Sequence, residues 1–228
     1  MPATQISSFA YTFAGMNELV VNLRREYSLA SLDEFSTATE PNKQFETWFD
    51  EAMKAELPEP HAMMLSTVNP QGRPSARIVL WRGGLPEGFL FFTNYLSRKG
   101  VQLEQNPYAA LTFFWPELER QIRIEGKIKR ASAQISDEYF AQRPRGSRIG
   151  AWASPQSEAI ASREDLAKRE AQFEDQFSDK EVPRPEHWGG YILVPDYFEF
   201  WQGRINRLHD RICYENKGDG WKKFRIAP

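Results

Sequence analysis

The chain is poor in the groups that most often carry chemistry by themselves. Among 228 residues there is one cysteine, Cys213, and there are three histidines, His61, His187 and His209, far apart in sequence. A single cysteine excludes an intramolecular disulfide and a cysteine-based zinc site, and scattered histidines leave little for a metal, so metal-free chemistry is expected. An excess of one charge is missing too. Twenty-nine Lys and Arg stand against 31 Asp and Glu, a formal net charge of −2. No general basic field therefore argues for nucleic acid, and any anion site must be built from local clusters. No apolar run approaches the ~20 residues of a membrane span. The start, MPATQISSFAYTFAG, lacks the basic head and apolar stretch of a signal peptide, so no membrane partner is expected and a reducing cytoplasm is the expected setting. Neither a G-x-G-x-x-G fingerprint nor a Walker loop occurs, which excludes the Rossmann and P-loop ways of holding a nucleotide-like ligand.

What is present is ordinary globular material, 41% hydrophobic and 26% charged, enough for one core. Residues 1–40 mix Ser, Thr and Ala around the charged patch LRREY and read as a mobile arm with one short helix; residues 41–228 read as a single domain. In PNKQFETWFDEAMKAEL, Phe45, Trp48, Phe49, Ala52 and Met53 recur at helical spacing behind Pro41, which predicts an amphipathic helix. Short β-rich runs follow: AMMLSTV, SARIVLW, FLFFTN, YAALTFFW and RQIRIEGKIKR, separated by turn residues and read as an antiparallel meander. A helical stretch is expected from about Ser132 to Phe177, with Ser162 and Asp165 resembling a capping box. Strands return in GGYILV, YFEFWQ, RLHDRICY and WKKFRIA. The predicted class is α+β, a β-barrel with flanking helices.

Three clusters could carry chemistry. In TNYLSRKGVQLEQN, Ser97 can cap a helix whose first turn holds Arg98 and Lys99. Cations there oppose the helix dipole unless an anion docks on the free N–H groups, and a phosphate is the natural guest. A solvated basic turn would look the same. YFAQRPRGSRIGAW repeats the idea with Arg143, Arg145 and Arg148 around Ser147; arginine forks suit phosphate, and they equally suit neighbouring carboxylates. In EFWQGRINRLHDR, an extended RLHDRICY would put Arg207, His209 and Arg211 on one face near Trp201, with Leu208 packed behind. Aromatic plus cation suits a flat heteroaromatic ligand, and a buried Trp beside a charged strand reads alike. Cys213 reads as a buried, inert thiol.

At these clusters the chain resembles the pyridoxine (pyridoxamine) 5′-phosphate oxidase family. The resemblance runs in order through LRREY, RIVLWR, FFTNYLSRK, NPYAALTFFW, LERQIRIEG, YFAQRPRGSRIGAWASPQS, VPRPEHWGGY, EFWQG, RLHDR and the terminal RIAP, nearly everything after Asn17. It implies a homodimeric FMN-binding split β-barrel with the cofactor at the subunit interface. The implied FMN residues are Arg77 with Arg98 and Lys99 on the phosphate, the segment Ile78, Val79, Leu80, Trp81 and Arg82 along the cofactor, and Phe92, Thr93, Gln121, Gln156, Ser157, Trp201 and Arg211 around ring and ribityl chain. The substrate phosphate would meet Arg82, Tyr139, Arg143 and Ser147. Arg207 and His209 would face the pyridine ring as the catalytic pair, and Arg24 and Tyr27 would belong to a covering arm.

The implied reaction is oxidation of pyridoxine or pyridoxamine 5′-phosphate to pyridoxal 5′-phosphate, with O2 as acceptor and hydrogen peroxide as product. Three positions depart from the family's habit: Arg82 where Lys is usual, Trp81 where an aliphatic residue or Phe is usual, and Phe92 where Tyr is common. Two rivals remain, another FMN oxidoreductase on the same scaffold and a non-catalytic pyridoxal-phosphate carrier.

Overall fold

The computed structural model describes residues 26–228, with the Leu85 side chain left aside. Helix α1 (Pro41–Lys54) precedes β1 (Ala62–Val68), β2 (Pro74–Leu80), β3 (Gly84–Leu85) and β4 (Gly88–Asn94). Helix α2 (Arg98–Gln105), β5 (Tyr108–Trp115) and β6 (Arg120–Arg130) come next, then α3 (Ala133–Gln142), α4 (Arg145–Ala153) and α5 (Arg163–Gln176). Strands β7 (Trp188–Gln202), β8 (Asp210–Asn216) and β9 (Trp221–Arg225) close the chain. The nine strands of the described residues join one antiparallel sheet in the order β2-β1-β5-β6-β7-β4-β3, with β8 pairing β7 and β9 pairing β8. Just past β2, Arg82 N donates to Leu90 O and Leu90 N to Gly83 O, so the curled sheet returns on itself at β4.

Period-two patterning fixes which face is core. Ile122 and Ile124 of β6, Phe113 of β5 and Phe198 and Phe200 of β7 are fully buried, while their neighbours in sequence face outward. Helix α1 lays Phe45, Trp48 and Ala52 on that inner face, and Phe45 makes edge-to-face contacts with Trp81, Phe89 and Phe113 at 5.1, 4.9 and 5.2 Å. A smaller cluster, Phe140, Ile149, Phe177, Val182 and Trp188, fastens the α3–α5 layer to the start of β7.

Several expectations are corrected. The first strands form no simple meander: β1 lies between β2 and β5, while β4 pairs with β7. The stretch 132–177 breaks into three helices. Pro144 forces Arg143 out of the helical region, and it ends α3 with extended ψ of 146°. GGYILV and YFEFWQ are one 15-residue strand, made possible where Gly126 lets β7 approach: a Cβ there would lie 2.1 Å from Val194 O, beside the register shift at Glu125/Gly126. RLHDRICY is extended only from Asp210 onward. Most of the expected arm, residues 1–25, lies outside the described residues; of its remainder, residues 26–40 contain no helix, with Ser28 and Leu29 N–H groups donating to Glu119 and Leu32 N to Asp210.

Candidate active site

The first part of the site grows from the start of α2. Ser97 caps it as expected, its Oγ accepting from Gly100 N at 3.3 Å. Lys99 Nζ then reaches Thr93 Oγ1 at 3.0 Å, Ser97 Oγ at 3.2 Å and Gln156 Oε1 at 2.8 Å, none of them a carboxylate. Burial, then the nearby Arg77, hold its ammonium down to about 8. Arg77 is itself lowered, by burial and then by Arg98. Three cations gathered with no carboxylate among the described partners of Arg77 and Lys99 suit an anion.

A cleft of about 310 Å³ runs from this grip past the backbone of Ile78, Val79 and Leu80 to Arg82, Tyr139 and Arg143. Its wall is a stack of parallel rings: Phe92 lies 4.0 Å from Tyr139 at 6° and 5.3 Å from Trp188 at 5°. Arg82 sits over the Tyr139 ring at 5.7 Å and Arg143 over the Trp188 ring at 4.7 Å. Arg143 Nη1 is buried without a hydrogen-bond partner among the described residues. A buried guanidinium N–H left unpaired is costly, and an oxyanion in the cleft would satisfy it. Both ends of the cleft therefore present side chains that suit a phosphate.

The structure separates the members of the second basic cluster. Arg145 pairs with Glu174 at 2.8 Å and Arg148 with Glu181 at 3.0 Å, which leaves Arg143 alone to face the cleft. Ser147 and Ser157 are exposed and do not line it, and the Trp81 side chain turns away, into the aromatic packing against α1. Arg98 is exposed at the rim of the α2 start. Trp188 and Asn94 line the cleft although the sequence marked them for no role; only folding brings the start of β7 beside β4. A larger hollow, about 860 Å³ beside α5, is lined by Glu174, Asp175, Asp179 and Glu181 against only Arg145 and Lys180, a net negative rim that disfavours a phosphate.

The remaining residues meet elsewhere. Gln121 pairs with Trp201 and Trp201 with Arg211, so the three form one row across β6, β7 and β8 on the outward face. His209 packs on Trp201 at 4.6 Å, and Tyr27 meets both rings edge-on at 5.7 and 5.8 Å. Arg211 is held by Glu199, which is 2% exposed, through Nε and Nη2 at 2.8 and 3.0 Å. The alternation expected for Arg207, Leu208 and His209 is overturned. They lie in and after a short turn, Ile205–Arg207, where Asn206 and Arg207 have φ of 57° and 60°. Leu208 is 68% exposed, so it does not pack behind the cations. His209 Nδ1 accepts from Arg204 N at 3.1 Å, which leaves the ring proton on Nε2. Burial and then Arg207 lower its pKa. Arg24 lies outside the described residues.

The cleft and this aromatic cluster stand at opposite ends of β7, a strand of 15 residues and up to about 50 Å of extended chain. A curled antiparallel sheet with flanking helices and a cationic, aromatic-walled cleft defines an α+β protein with a candidate anion-binding site. The sequence matches the family described as pyridoxamine 5′-phosphate oxidase over residues 49–176, and the pyridoxine 5′-phosphate oxidase C-terminal dimerisation region over residues 188–228. It is 56% identical over 211 residues to a pyridoxine/pyridoxamine 5′-phosphate oxidase of Paraburkholderia xenovorans, covering 92% of this chain and 99% of that one. A relative of the same name from Rubrobacter xylanophilus is 52% identical over 214 residues, covering 94% and 99%. Among solved structures, PhzG from Burkholderia lata 383, in complex with tetrahydrophenazine-1-carboxylic acid, superposes with a TM-score of 0.82 at 30% identity, covering 88% of this chain and 100% of that one. The chain belongs to the pyridoxamine 5′-phosphate oxidase family.

Proposed function

We propose that this protein is an FMN-dependent oxidase that converts pyridoxine 5′-phosphate and pyridoxamine 5′-phosphate to pyridoxal 5′-phosphate, acting as a homodimer in the cytoplasm. The observation that carries the reading is the cleft with a phosphate-ready grip at each end, Lys99 with Arg77 close behind it at one and Arg82 and Arg143 at the other. Two such grips match two phosphorylated ligands, a cofactor and a substrate. FMN, when bound, would supply the two-electron acceptor, with dioxygen taking the electrons on to hydrogen peroxide.

The chain's own residues would bind and orient. Arg77, Arg98 and Lys99 would hold the FMN phosphate, the backbone from Ile78 to Arg82 would run beside the cofactor, and Thr93 and Gln156 already bond Lys99 in place. Arg82, Tyr139 and Arg143, with Ser147 at the edge, would hold the substrate phosphate. A second copy would bring its Gln121, Trp201 and Arg211 row over the cofactor, and its Tyr27, Arg207 and His209 over the substrate, because one chain keeps these at the far end of β7. Exposed Ile78 and Leu208, at 66% and 68%, are apolar surface for that contact. His209, kept neutral with its proton on Nε2, would donate a hydrogen bond to the substrate, and Arg207 would orient the ring by its charge.

Peroxide formation on adding pyridoxine 5′-phosphate to the purified protein tests this reading. Turnover should require the phosphate, and Arg143→Ala should raise KM for the phosphorylated substrate about tenfold or more. No peroxide, or equal turnover of unphosphorylated pyridoxine, would sink it.

A further inference from the structure

Behind Arg77 lies a buried polar cluster that the cleft itself does not include. Gln102, on the inward side of α2 and 4% exposed, accepts at Oε1 from Thr67 Oγ1 at 2.6 Å and from Ser75 Oγ at 2.8 Å. Each hydroxyl has one proton, and both protons are committed to Gln102. Their oxygens are therefore left as acceptors, and both are used by one guanidinium: Arg77 Nη1 donates to Thr67 Oγ1 at 2.7 Å and Nη2 to Ser75 Oγ at 2.7 Å. Leu65 O takes a further Nη1 bond at 2.9 Å. Arg77 is thus gripped from behind by neutral acceptors.

The physical need for such a grip is clear. Arg77, Arg98 and Lys99 repel one another, and with no carboxylate among its described partners Arg77, left ungripped, would swing toward solvent or toward any acid within reach. A carboxylate would hold it but would cancel the charge that an anion needs. Neutral acceptors whose direction is set by a third group hold the guanidinium without cancelling its charge. Gln102 also stands one helical turn after Lys99, so the same helix that presents the ammonium registers the arginine on β2.

We infer that Gln102, acting through Thr67 and Ser75, is a positioning residue that presets Arg77 for the FMN phosphate. This rests on the proposed FMN reading and adds a set of residues that need touch neither ligand. The test is titration of the apoprotein with FMN and, separately, with riboflavin, followed by flavin fluorescence, on Gln102→Leu, Thr67→Val, Thr67→Ser and Arg77→Ala. Gln102→Leu and Thr67→Val should weaken FMN by about tenfold or more while riboflavin changes by less than about twofold, and Thr67→Ser, which keeps the hydroxyl, should bind FMN as the parent does. Thr67→Val decides the matter if Gln102→Leu does not fold. If Arg77→Ala discriminates between the flavins but Thr67→Val and Gln102→Leu do not, the relay is overturned and the FMN reading stands. If Arg77→Ala weakens both flavins alike, the phosphate assignment of Arg77 falls and the relay falls with it.

Discussion

Lys99 shows how a residue's chemistry is set by what folding places beside it. Its side chain is drawn inward by Thr93, Ser97 and Gln156, and burial with Arg77 nearby lowers it from 10.5 to about 8. A phosphate beside it would favour the charged form and restore the higher value. FMN binding should then require proton uptake above about pH 8, and affinity should fall by up to about tenfold per pH unit from there. Lys99→Arg should abolish that decline, because arginine stays charged. The check is FMN affinity between pH 7 and 10 in both proteins; a flat profile in the parent would show that Lys99 does not meet the phosphate. For the apoprotein the sign is opposite. A folded pKa below the unfolded value makes Lys99 oppose folding at pH below 8, and stability should recover as pH rises from about 8 toward 10.5.

At the scale of elements, two glycines fix where the site's pieces sit. A Cβ on Gly100 would lie 2.1 Å from Tyr95 O, so α2 can start where it does only because that residue is glycine. Gly100→Ala should cost about 2 kcal/mol or more in unfolding free energy and weaken FMN, since the α2 start must shift; an unchanged melting temperature would show that the turn yields freely. A Cβ on Gly203 would lie 2.7 Å from Tyr27 Cβ, so Gly203→Ala should displace Tyr27 from Trp201 and His209. Its effect should fall on substrate KM while FMN content is retained, measured by steady-state kinetics beside flavin absorbance. These elements were unevenly legible. Helix α1 and the Ser97 and Ser162 caps follow from local spacing and are found as expected. The turn holding Arg207 was not, because period-two alternation in RLHDR imitates a strand, while two left-handed residues are set by tertiary contacts that no short pattern encodes.

For the whole molecule, the distance along β7 makes a sharp demand. If one site is completed by two chains, Arg143→Ala and Arg207→Ala damage different ends of it. A heterodimer of the two variants then contains one doubly damaged site and one intact site. At substrate well below the variants' KM, where each variant alone is weakly active, random mixing after refolding should raise activity to about a quarter of the parent's. No recovery on mixing, with dimers present by light scattering, would mean that each chain completes its own site. The C-terminal dimerisation region over residues 188–228 agrees with the first outcome, since it holds β7, the Arg207 turn and β8.

The sequence by itself determined the α+β class, the inner faces of the strands, the capped start of α2 and the cationic clusters, because each rests on residues close together in the chain. Only the tertiary structure decided which cations were free to act. Arg143, Arg145 and Arg148 are equivalent in RPRGSR, yet two find carboxylates on α5 and the segment after it, while Arg143, turned out by Pro144, lies over Trp188 with no carboxylate partner among the described residues. Gln102, Thr67 and Ser75 look like ordinary polar residues of a helix and two strands until the sheet pairs β1 with β2 and lays α2 behind them. Spacing along a chain reports which side a residue faces; which partner waits on that side is settled by elements far away in sequence, and a charge acts on a ligand only where that partner is missing.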